Sequence, residues 1–212
     1  MKKTLTIVMA MVLVAAVAIT GTLAYMSAQA APVTNTFKFG NIEIELDESK
    51  VNENGQIITG EGAMGVKANT YKVTPGATVD KDPTVHVKGG SEKCYVYVSV
   101  QNNMLINDKE VASYTPNAGW IKIGENAANH TVVYKYNGVV DASSATQDLT
   151  PVFSQVTFDG NDITLGNVGQ LNDKTIVINA YAHQSENIGA DTSVADNAAL
   201  DHFNATAITV IG

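Results

Sequence analysis

Arginine is absent from this 212-residue sequence, and all thirteen basic residues are lysines. They are outnumbered by 21 aspartates and glutamates, which leaves a formal net charge of −8 at pH 7. Nucleic-acid phosphates and anionic lipid surfaces are both bound through basic side chains. The composition therefore argues against a nucleic-acid partner and against docking on an anionic membrane.

Cysteine is nearly absent as well, because Cys94 is the only one. A chain with a single cysteine has no internal disulfide, so its stability must come from packing. Cys94 begins the alternating segment Cys94-Tyr95-Val96-Tyr97-Val98. This pattern predicts a small buried hydrophobic residue, and an intermolecular disulfide is the alternative.

Long apolar runs are also missing, except for one near the start of the chain. Lys2 and Lys3 precede the run Leu5 to Ile19, and small residues follow it. This order predicts an export signal, since the run is shorter than the roughly 20 residues that a spanning helix needs; a retained membrane anchor is the alternative. Removal of the signal leaves about 180–190 residues, enough for one domain. The net charge then moves from −8 to −10, because two lysines are lost.

The rest of the chain has the period-two pattern of β-strands. Cys94 to Val100 alternates between valines and polar or aromatic residues, and Thr175 to His183 alternates similarly. Such alternation predicts strands with one buried face. Thr131 to Tyr136 leads into Asn137-Gly138 and then Val139-Val140. Because Asn-Gly suits a tight type I′ turn, this segment predicts a hairpin.

Weaker signals complete the prediction of an all-β, jelly-roll-like, two-sheet antiparallel sandwich. A second hairpin-like stretch is Val156 to Phe158 with Asp159-Gly160 and Ile163 to Leu165, and Ala207 to Ile211 is a final strand. Val51 to Gly65 reads as a polar loop or a weak hairpin around Asn54-Gly55. The apolar residues change phase across Gly40-Asn41, from Phe37 and Phe39 to Ile42, Ile44 and Leu46, which indicates a bulge.

One segment near the C-terminus has the features of a short helix. Ser193 with Asp196 resembles a capping box. The predicted apolar stripe of this helix consists of Val194, Ala198, Leu200 and Phe203. We expect the helix to cover one end of a sheet.

The sequence assigns no catalytic, cofactor-binding or metal-ligating residue. Zinc hydrolases often use His-Glu-x-x-His on a helix, and this motif is absent. His183 and Glu186, with His202 further on, leave a metal site and a metallopeptidase activity open as an alternative. No Gly-x-Ser-x-Gly occurs, and Cys94 has no histidine near it in sequence.

A glycan- or surface-binding module is a further alternative, since β-sandwiches often carry such sites. Aromatic side chains at strand spacing could form a stacking platform, although they more often pack across strands. The candidates are Tyr95, Tyr97, Tyr134, Tyr136, Tyr181 and Trp120.

Three parts of the chain resemble one known family when their order and spacing are taken together. The first runs from Gly21-Thr22-Leu23-Ala24-Tyr25-Met26 to the Thr-Phe-x-x-Gly strand at Thr36 to Gly40. The second is Val73-Thr74-Pro75-Gly76 followed by Lys81-Asp82-Pro83-Thr84-Val85, and the third is Ala180-Tyr181-Ala182-His183-Gln184. They are similar to the TasA/camelysin family. Relatives often carry an aliphatic residue where His183 stands, so this chain departs from them there.

The resemblance implies a secreted jelly-roll subunit of biofilm-matrix or cell-surface fibres. The camelysin name also implies a metallopeptidase, but the missing catalytic motifs lead us to expect no enzyme activity. It implies cleavage after Ala24 by a dedicated signal peptidase, whereas an ordinary Ala-x-Ala site would place the cut after Ala30. In the family, the mature N-terminal arm of one subunit completes a sheet of the next. The matching arm here is Tyr25 to Val33, with Tyr25, Met26 and Val33 as anchors. A disordered tail is the alternative for this arm.

The expected organisation is therefore a signal peptide at residues 1–24, an arm at residues 25–36 and a single jelly-roll domain at residues 37–212. The expected partners are further copies of the chain and the signal peptidase, with a minor nucleating or anchoring protein left open. No cofactor, small-molecule substrate or nucleic acid is expected. Head-to-tail strand donation need not close into a ring, so it can propagate as a filament.

Overall fold

The computed structural model describes residues 3–4, 6–12, 40–60, 62–63, 65–188 and 192–208. The chain divides into two compact units, Met1–Phe39 and Gly40–Gly212. In the first unit, residues 3–4 and 6–12 are helical. None of the described helices is long and apolar enough to cross a membrane.

The second unit is built almost entirely from β-strands. Among the described residues of this unit, one α-helix spans Ser193–His202, and two short 3-10 turns span Ala127–Asn129 and Val168–Leu171. The strands are β1 Ile44–Asp47, β2 Thr78–Asp80, β3 Thr84–Val87, β4 Cys94–Asn102, β5 Leu105–Ile106, β6 Lys109–Glu110, β7 Ala112–Ser113, β8 Trp120–Asn126, β9 Thr131–Tyr136, β10 Gln147–Asp148, β11 Gln155–Phe158, β12 Ile176–Gln184 and β13 Thr206–Ala207.

The strands form two layers around one core. One layer is a five-stranded antiparallel sheet in the order β12-β4-β9-β8-β13. The other layer contains the three-stranded sheets β1-β3-β10 and β2-β11-β7, and β5 and β6 form a separate hairpin. Val98 of β4, Val85 of β3 and Val156 of β11 meet in the same core cluster. The predicted all-β antiparallel sandwich with a short C-terminal helix is confirmed.

Strand β4 is buried on both faces, which explains why its sequence combines valines with tyrosines. Val96, Val98 and Val100 face the sandwich core. On the opposite face, Tyr97 packs against Ala195 and Ala199 of the C-terminal helix. The helix therefore adds a third layer over part of the five-stranded sheet, as the sequence predicted.

The face that this helix buries agrees with the predicted stripe only in part: Leu200 is buried and Phe203 packs against the buried cluster, but Val194 and Ala198 are not buried. Its buried residues are Ala195, Ala199 and Leu200, whereas Val194 is 49% exposed. Small alanines allow the helix to lie close to the sheet, and Leu200 approaches Gly124 of β8. The predicted capping box is also wrong, because Thr192 is the N-cap residue and makes no side-chain capping hydrogen bond.

The hairpin predicted at Asn137-Gly138 does not form. Gly138 has a positive φ of 94°, but Val140 then pairs with Cys94 through two backbone hydrogen bonds of 2.8 and 3.1 Å. Because β9 already pairs with β4 upstream of this point, the chain bulges around Gly138 and continues along the same neighbour. A local turn signal was overridden by pairing with a distant strand.

The weaker local signals are correct in part. Val51 and Ile57 form a bridge around Gly55, as expected for a weak hairpin. After β11, the Asp159 carboxylate accepts hydrogen bonds from the backbone N–H groups of Asn161 and Asp162, which forms a turn. The predicted strand at Ile163 to Leu165 does not follow. Phe37 and Phe39, which define the predicted change of phase, lie outside the described residues.

Candidate functional site

Strand β12 forms one edge of the five-stranded sheet along nine residues. It pairs with β4 over its whole length, from Ile176 opposite Asn102 to Gln184 opposite Cys94. Within the described part of the chain, no strand pairs with its other side. An edge strand directs the N–H and C=O groups of alternate residues away from its sheet, where they can pair with another strand. The sequence of β12 contains no Lys, Pro, Asp or Glu, the residues that commonly block such edges.

An apolar gap runs beside this edge. Ile44 and Leu46 of β1 lie on one side of it, and Ile178 and Ala180 of β12 lie on the other. All four side chains are only partly buried, although they pack against the sandwich core. They line a cleft of about 510 Å³ between the edges of the two layers.

The same cleft continues over β12 onto the outer face of the five-stranded sheet. There its lining becomes polar, and among the residues that line the cleft only His202 is ionisable. This outer part is lined by Ser99, Gln101, Asn129, Thr131, Asn179, His202 and Phe203. An extended segment laid along β12 would place alternate side chains in the apolar gap and on this polar surface, since strand side chains alternate with period two.

The C-terminal helix forms one wall of the cleft and is fixed to the sheet at two points. The ring of His202 stacks on Tyr181 of β12, with a centroid distance of 4.6 Å and an interplanar angle of 23°. Asp196 accepts hydrogen bonds of 2.7 Å from the Tyr97 hydroxyl and from Lys135 Nζ. Burial, together with the Asp196 carboxylate, raises the pKa of Tyr97, so the hydroxyl remains a donor.

The solvent face of β1, on the far side of the cleft, carries charge. Glu45 forms ion pairs with Lys67 and Lys88, and the hydrogen bonds from these two lysines lower the pKa of Glu45 to about 2. The ring of His86 on β3 lies between two carboxylates, with Nε2 3.1 Å from Asp47 and Nδ1 2.7 Å from Asp148. Charge is therefore concentrated on the exposed face of β1, away from the apolar gap.

Several residues singled out in the sequence do not belong to this cleft. The arm anchors Tyr25, Met26 and Val33 and the two candidate cleavage positions Ala24 and Ala30 lie outside the described residues. Cys94 is fully buried, and burial raises the pKa of its thiol to about 11. Its predicted role as a small buried hydrophobic residue is confirmed.

The four histidines have different surroundings. His86 and His130 each lie between two carboxylates. His183 and His202 both lie near the ring of Tyr181, and His183 Nδ1 also contacts the carbonyl of Gln184. In the described ranges, no group of three or more His, Cys, Asp or Glu side chains is arranged to hold a metal ion. The metal set suggested by His183, Glu186 and His202 is not formed as a cluster.

The aromatic platform considered for glycan binding is not formed by the six candidates. Tyr97, Tyr134 and Trp120 are buried. The indole N–H of Trp120 donates to the carbonyl of Thr150 at 2.8 Å, so this side chain serves the core. Two of the six contact the helix that forms the wall of the cleft: Tyr97 through Asp196 and Tyr181 through His202.

The sequence predicted β12 as a strand but did not reveal that it is an edge. The available signal was the absence of charge and proline over nine consecutive residues. The role of Ile44 and Leu46 was hidden as well, because their alternation is the same as that of any core strand. Comparisons with protein-family models, curated proteins and solved structures find no match for this chain.

Proposed function

We propose that this protein is a structural subunit of extracellular fibres, in which the N-terminal arm of one subunit pairs with β12 of the next. The observation that carries the proposal is the nine-residue, unblocked edge of β12 beside an apolar cleft. Addition of a strand to such an edge satisfies the outward-facing backbone groups and fills the gap with side chains. Export of the chain, and its cleavage after Ala24 by a dedicated signal peptidase, are part of this proposal.

The chemistry of the arm fits the chemistry of the cleft. Tyr25 to Val33 contains no charged residue, and the cleft offers one ionisable side chain, His202. The side chains of the arm therefore leave no unpaired buried charge in the gap, which would be costly; its one charge is the α-amino group of Tyr25 at the end of the arm. Tyr25, Met26 and Val33 are the large apolar side chains of the arm. Because strand side chains alternate, Tyr25 and Val33 share one face of the arm and Met26 lies on the other, so the gap between Ile44 and Ile178 takes one of these two sets. Pro32 cannot donate a backbone hydrogen bond, so it suits the point where the arm leaves the sheet.

The geometry of donation leads to a filament. The arm and the β12 edge are different surfaces, so the contact between two subunits is heterologous and leaves one free arm and one free edge. After removal of the signal the net charge is −10, which opposes association over distances of about a Debye length, roughly 10 Å at 0.1 M salt. Assembly should therefore be favoured by salt.

The proposal is tested with two forms of the protein, one that begins at Tyr25 and one that begins at Thr34. Negative-stain electron microscopy should show filaments of uniform width for the first form and single particles for the second. A labelled peptide with the sequence of Tyr25 to Val33 should bind the second form at one site per chain, measured by fluorescence anisotropy. Two further peptides are the matched controls, one with Met26 and one with Val33 replaced by Asp. The one whose substitution faces the gap should bind at least about tenfold more weakly, because it carries a charge into an apolar environment.

Single particles from both forms under all salt and pH conditions, together with no peptide binding, would contradict the proposal. Filaments from the form that begins at Thr34 would show instead that assembly does not need the arm.

A further inference from the structure

A buried carboxylate next to the end of β1 holds a lysine and an asparagine at the same time. Lys81 Nζ donates to Glu48 Oε2 at 2.6 Å, and Asn69 Nδ2 donates to Glu48 Oε1 at 3.0 Å. Glu48 is 7% exposed, and the side chain of Lys81 is 12% exposed. The two oxygens of one carboxylate therefore bring an amine and a carboxamide together in a place with little access to water.

The carboxamide of Asn69 is held in a fixed orientation. Its Oδ1 accepts a hydrogen bond of 3.1 Å from the backbone N–H of Val51, and its Nδ2 also donates to the carbonyl of Ser49 at 2.8 Å. An N–H donor aimed at the carbonyl oxygen polarises the C=O bond and would stabilise negative charge that develops on that oxygen. Asn69 is thus positioned as an electrophile, whereas a solvent-exposed asparagine would be free to rotate.

The aromatic side chain of Tyr71 lies next to the side chains of Lys81, Asn69 and Glu48. Lys81 Nζ lies 6.0 Å from the centroid of the Tyr71 ring. The hydroxyl of Tyr71 is buried and lies next to the side chain of Asn69. Burial, with the nearby carboxylates of Glu48 and Asp82, raises the pKa of Tyr71, so its hydroxyl stays protonated next to the three side chains.

We propose that Lys81 and Asn69 react to form an intramolecular amide bond, with Glu48 as the catalytic residue. Glu48 first accepts a proton from the ammonium group of Lys81. The free amine then attacks Cγ of Asn69, and the negative charge that forms on Oδ1 faces the N–H of Val51. Glu48 gives its proton to Nδ2 and takes one from the attacking nitrogen. The Cγ–Nδ2 bond breaks and ammonia leaves, which removes the last proton from Glu48 as ammonium.

The reaction needs no oxidant, reductant or cofactor. One C–N bond forms and one breaks, and the only product besides the crosslinked chain is ammonia. Glu48 holds the two reacting groups close together, so they do not have to meet by diffusion. Such placement is the usual source of high effective concentrations in intramolecular reactions. The base and the acid of the step are the same carboxylate, which already contacts both reacting nitrogens.

The crosslink would suit a secreted chain that has no disulfide. It closes a covalent ring from Asn69 to Lys81. Because Glu48 contacts both side chains, the crosslink also keeps the irregular segment before β2 next to the end of β1. Covalent ring closure restricts the unfolded chain and thereby stabilises the folded one. It also converts a poorly exposed lysine, whose desolvation is costly as an ion pair, into a neutral amide.

Peptide mass spectrometry of the folded, secreted protein tests the proposal directly. Trypsin should release Ala68–Lys72 joined to Val73–Lys88, with cleavage after Lys81 blocked and a mass lower by one ammonia than that of the two separate peptides. Fragmentation should place the bond between Asn69 and Lys81. The variant Glu48→Gln cannot accept the lysine proton and should give the separate peptides Ala68–Lys72, Val73–Lys81 and Asp82–Lys88.

A matched control separates this chemistry from ordinary ion pairing. Glu45 also holds two lysines, but it lies on the exposed face of β1, and Glu45→Gln should leave the crosslink intact. Separate peptides from the folded wild-type protein, both when fresh and after prolonged storage, would overturn the proposal whatever the variants show. A crosslinked Glu48→Gln variant would overturn the role of Glu48.

Discussion

The two edges of the five-stranded sheet, β12 and β13, differ in length and in surroundings. β12 presents nine consecutive residues beside an open apolar cleft. β13 consists of Thr206 and Ala207 and pairs with β8 at Glu125 and Gly124. A two-residue edge offers too few backbone groups to hold another strand, and short edge strands are a common protection against unwanted pairing. The same sheet therefore has one protected edge and one receptive edge.

Other strand edges in the domain are protected by further means. β7 and β10 each have two residues, and β1 carries Glu45 and Asp47 on its exposed face. Long β12 is the exception, since it is uncharged and borders a gap. An exposed, uncharged edge is a risk of aggregation unless it has a partner, so the difference between β12 and β13 indicates a strand that is kept available for pairing.

Charge placed on the receptive edge should have the largest effect. Val177 and Asn179 project from β12 on the outer side of the sheet and are exposed. We expect Val177→Lys combined with Asn179→Lys to prevent filament formation or to raise the concentration needed for it by at least about tenfold, because an incoming strand would desolvate two unpaired charges. Electron microscopy and sedimentation of filaments measure the effect.

The protected edge supplies the control for this experiment. Thr206→Lys introduces the same side chain on exposed β13 and should leave assembly unchanged. If both variants lose filaments equally, a general effect of charge and not the β12 edge explains assembly.

The side chains that line the apolar gap should have the next largest effect. Ile178→Ala widens the gap and removes apolar surface that a bound arm would cover. At about 0.8 kcal/mol per buried methylene group, we expect affinity for the arm peptide to fall by about one to two kcal/mol, or roughly tenfold. Peptide titration of the protein that begins at Thr34 measures this change.

Ile121→Ala is the matched substitution, because Ile121 lies on β8 and is 50% exposed. It should leave peptide affinity unchanged. Equal losses in both variants would show that the peptide does not enter the gap beside β12.

The strands themselves were largely predictable from the sequence, but their neighbours were not. Alternation in β4 and β12 is a local property of each segment, so both strands were found with ends correct to within two residues. The position of β12 at an edge depends on which distant strands pair with β4. Nothing in the sequence of β12 encodes that choice except its lack of blocking residues.

The errors arose where tertiary contacts outweigh local signals. Asn137-Gly138 has the sequence of a tight turn, yet Val140 gains a ladder with Cys94. In the C-terminal helix, Leu200 and Phe203 pack as expected, but Ala195 and Ala199 are buried in place of Val194, because the helix fits closely over Tyr97 and Gly124. Asp196, expected to cap the helix, accepts hydrogen bonds from Tyr97 and Lys135 instead.

Loss of the hydrogen bonds and the ion pair of Asp196 should have a smaller effect, and this effect is on the stability of the fold. Asp196→Asn removes the charge that pairs with Lys135, whose side chain is mostly buried, and weakens the hydrogen bond from Tyr97. Hydrogen bonds to charged groups contribute about 1.5–3 kcal/mol, so we expect the free energy of unfolding to fall by about 1–3 kcal/mol. Urea denaturation measures the loss.

Asp196→Asn differs from the substitutions on β12 in its expected effect on filament assembly. Asp196→Asn should still form filaments below its unfolding transition, because the edge of β12 and the gap remain. Asp201→Asn, on the exposed side of the same helix, is the control and should leave stability nearly unchanged. Loss of filaments by folded Asp196→Asn would show that the helix wall takes part in binding the arm.

The smallest expected effect concerns pH and arises at His86 of β3, next to β1. Burial alone would lower the pKa of His86, but hydrogen bonds to Asp148 and Asp47 outweigh it and raise the pKa above its ordinary value of 6.5. A raised pKa in the folded state means that protonated His86 stabilises the sheet. This contribution is fully present below pH 6.5 and is lost as the pH rises through the higher, folded-state value.

We therefore expect His86→Gln to be less stable than the wild type in mildly acidic buffer and to approach it as the pH becomes alkaline. Urea denaturation of both proteins across this range measures the difference. Since Asp47 follows Leu46 at the rim of the cleft, binding of the arm peptide should weaken over the same pH range. A difference between wild type and His86→Gln that grows toward alkaline pH would contradict the assigned sign and show that the neutral ring is the stabilising form.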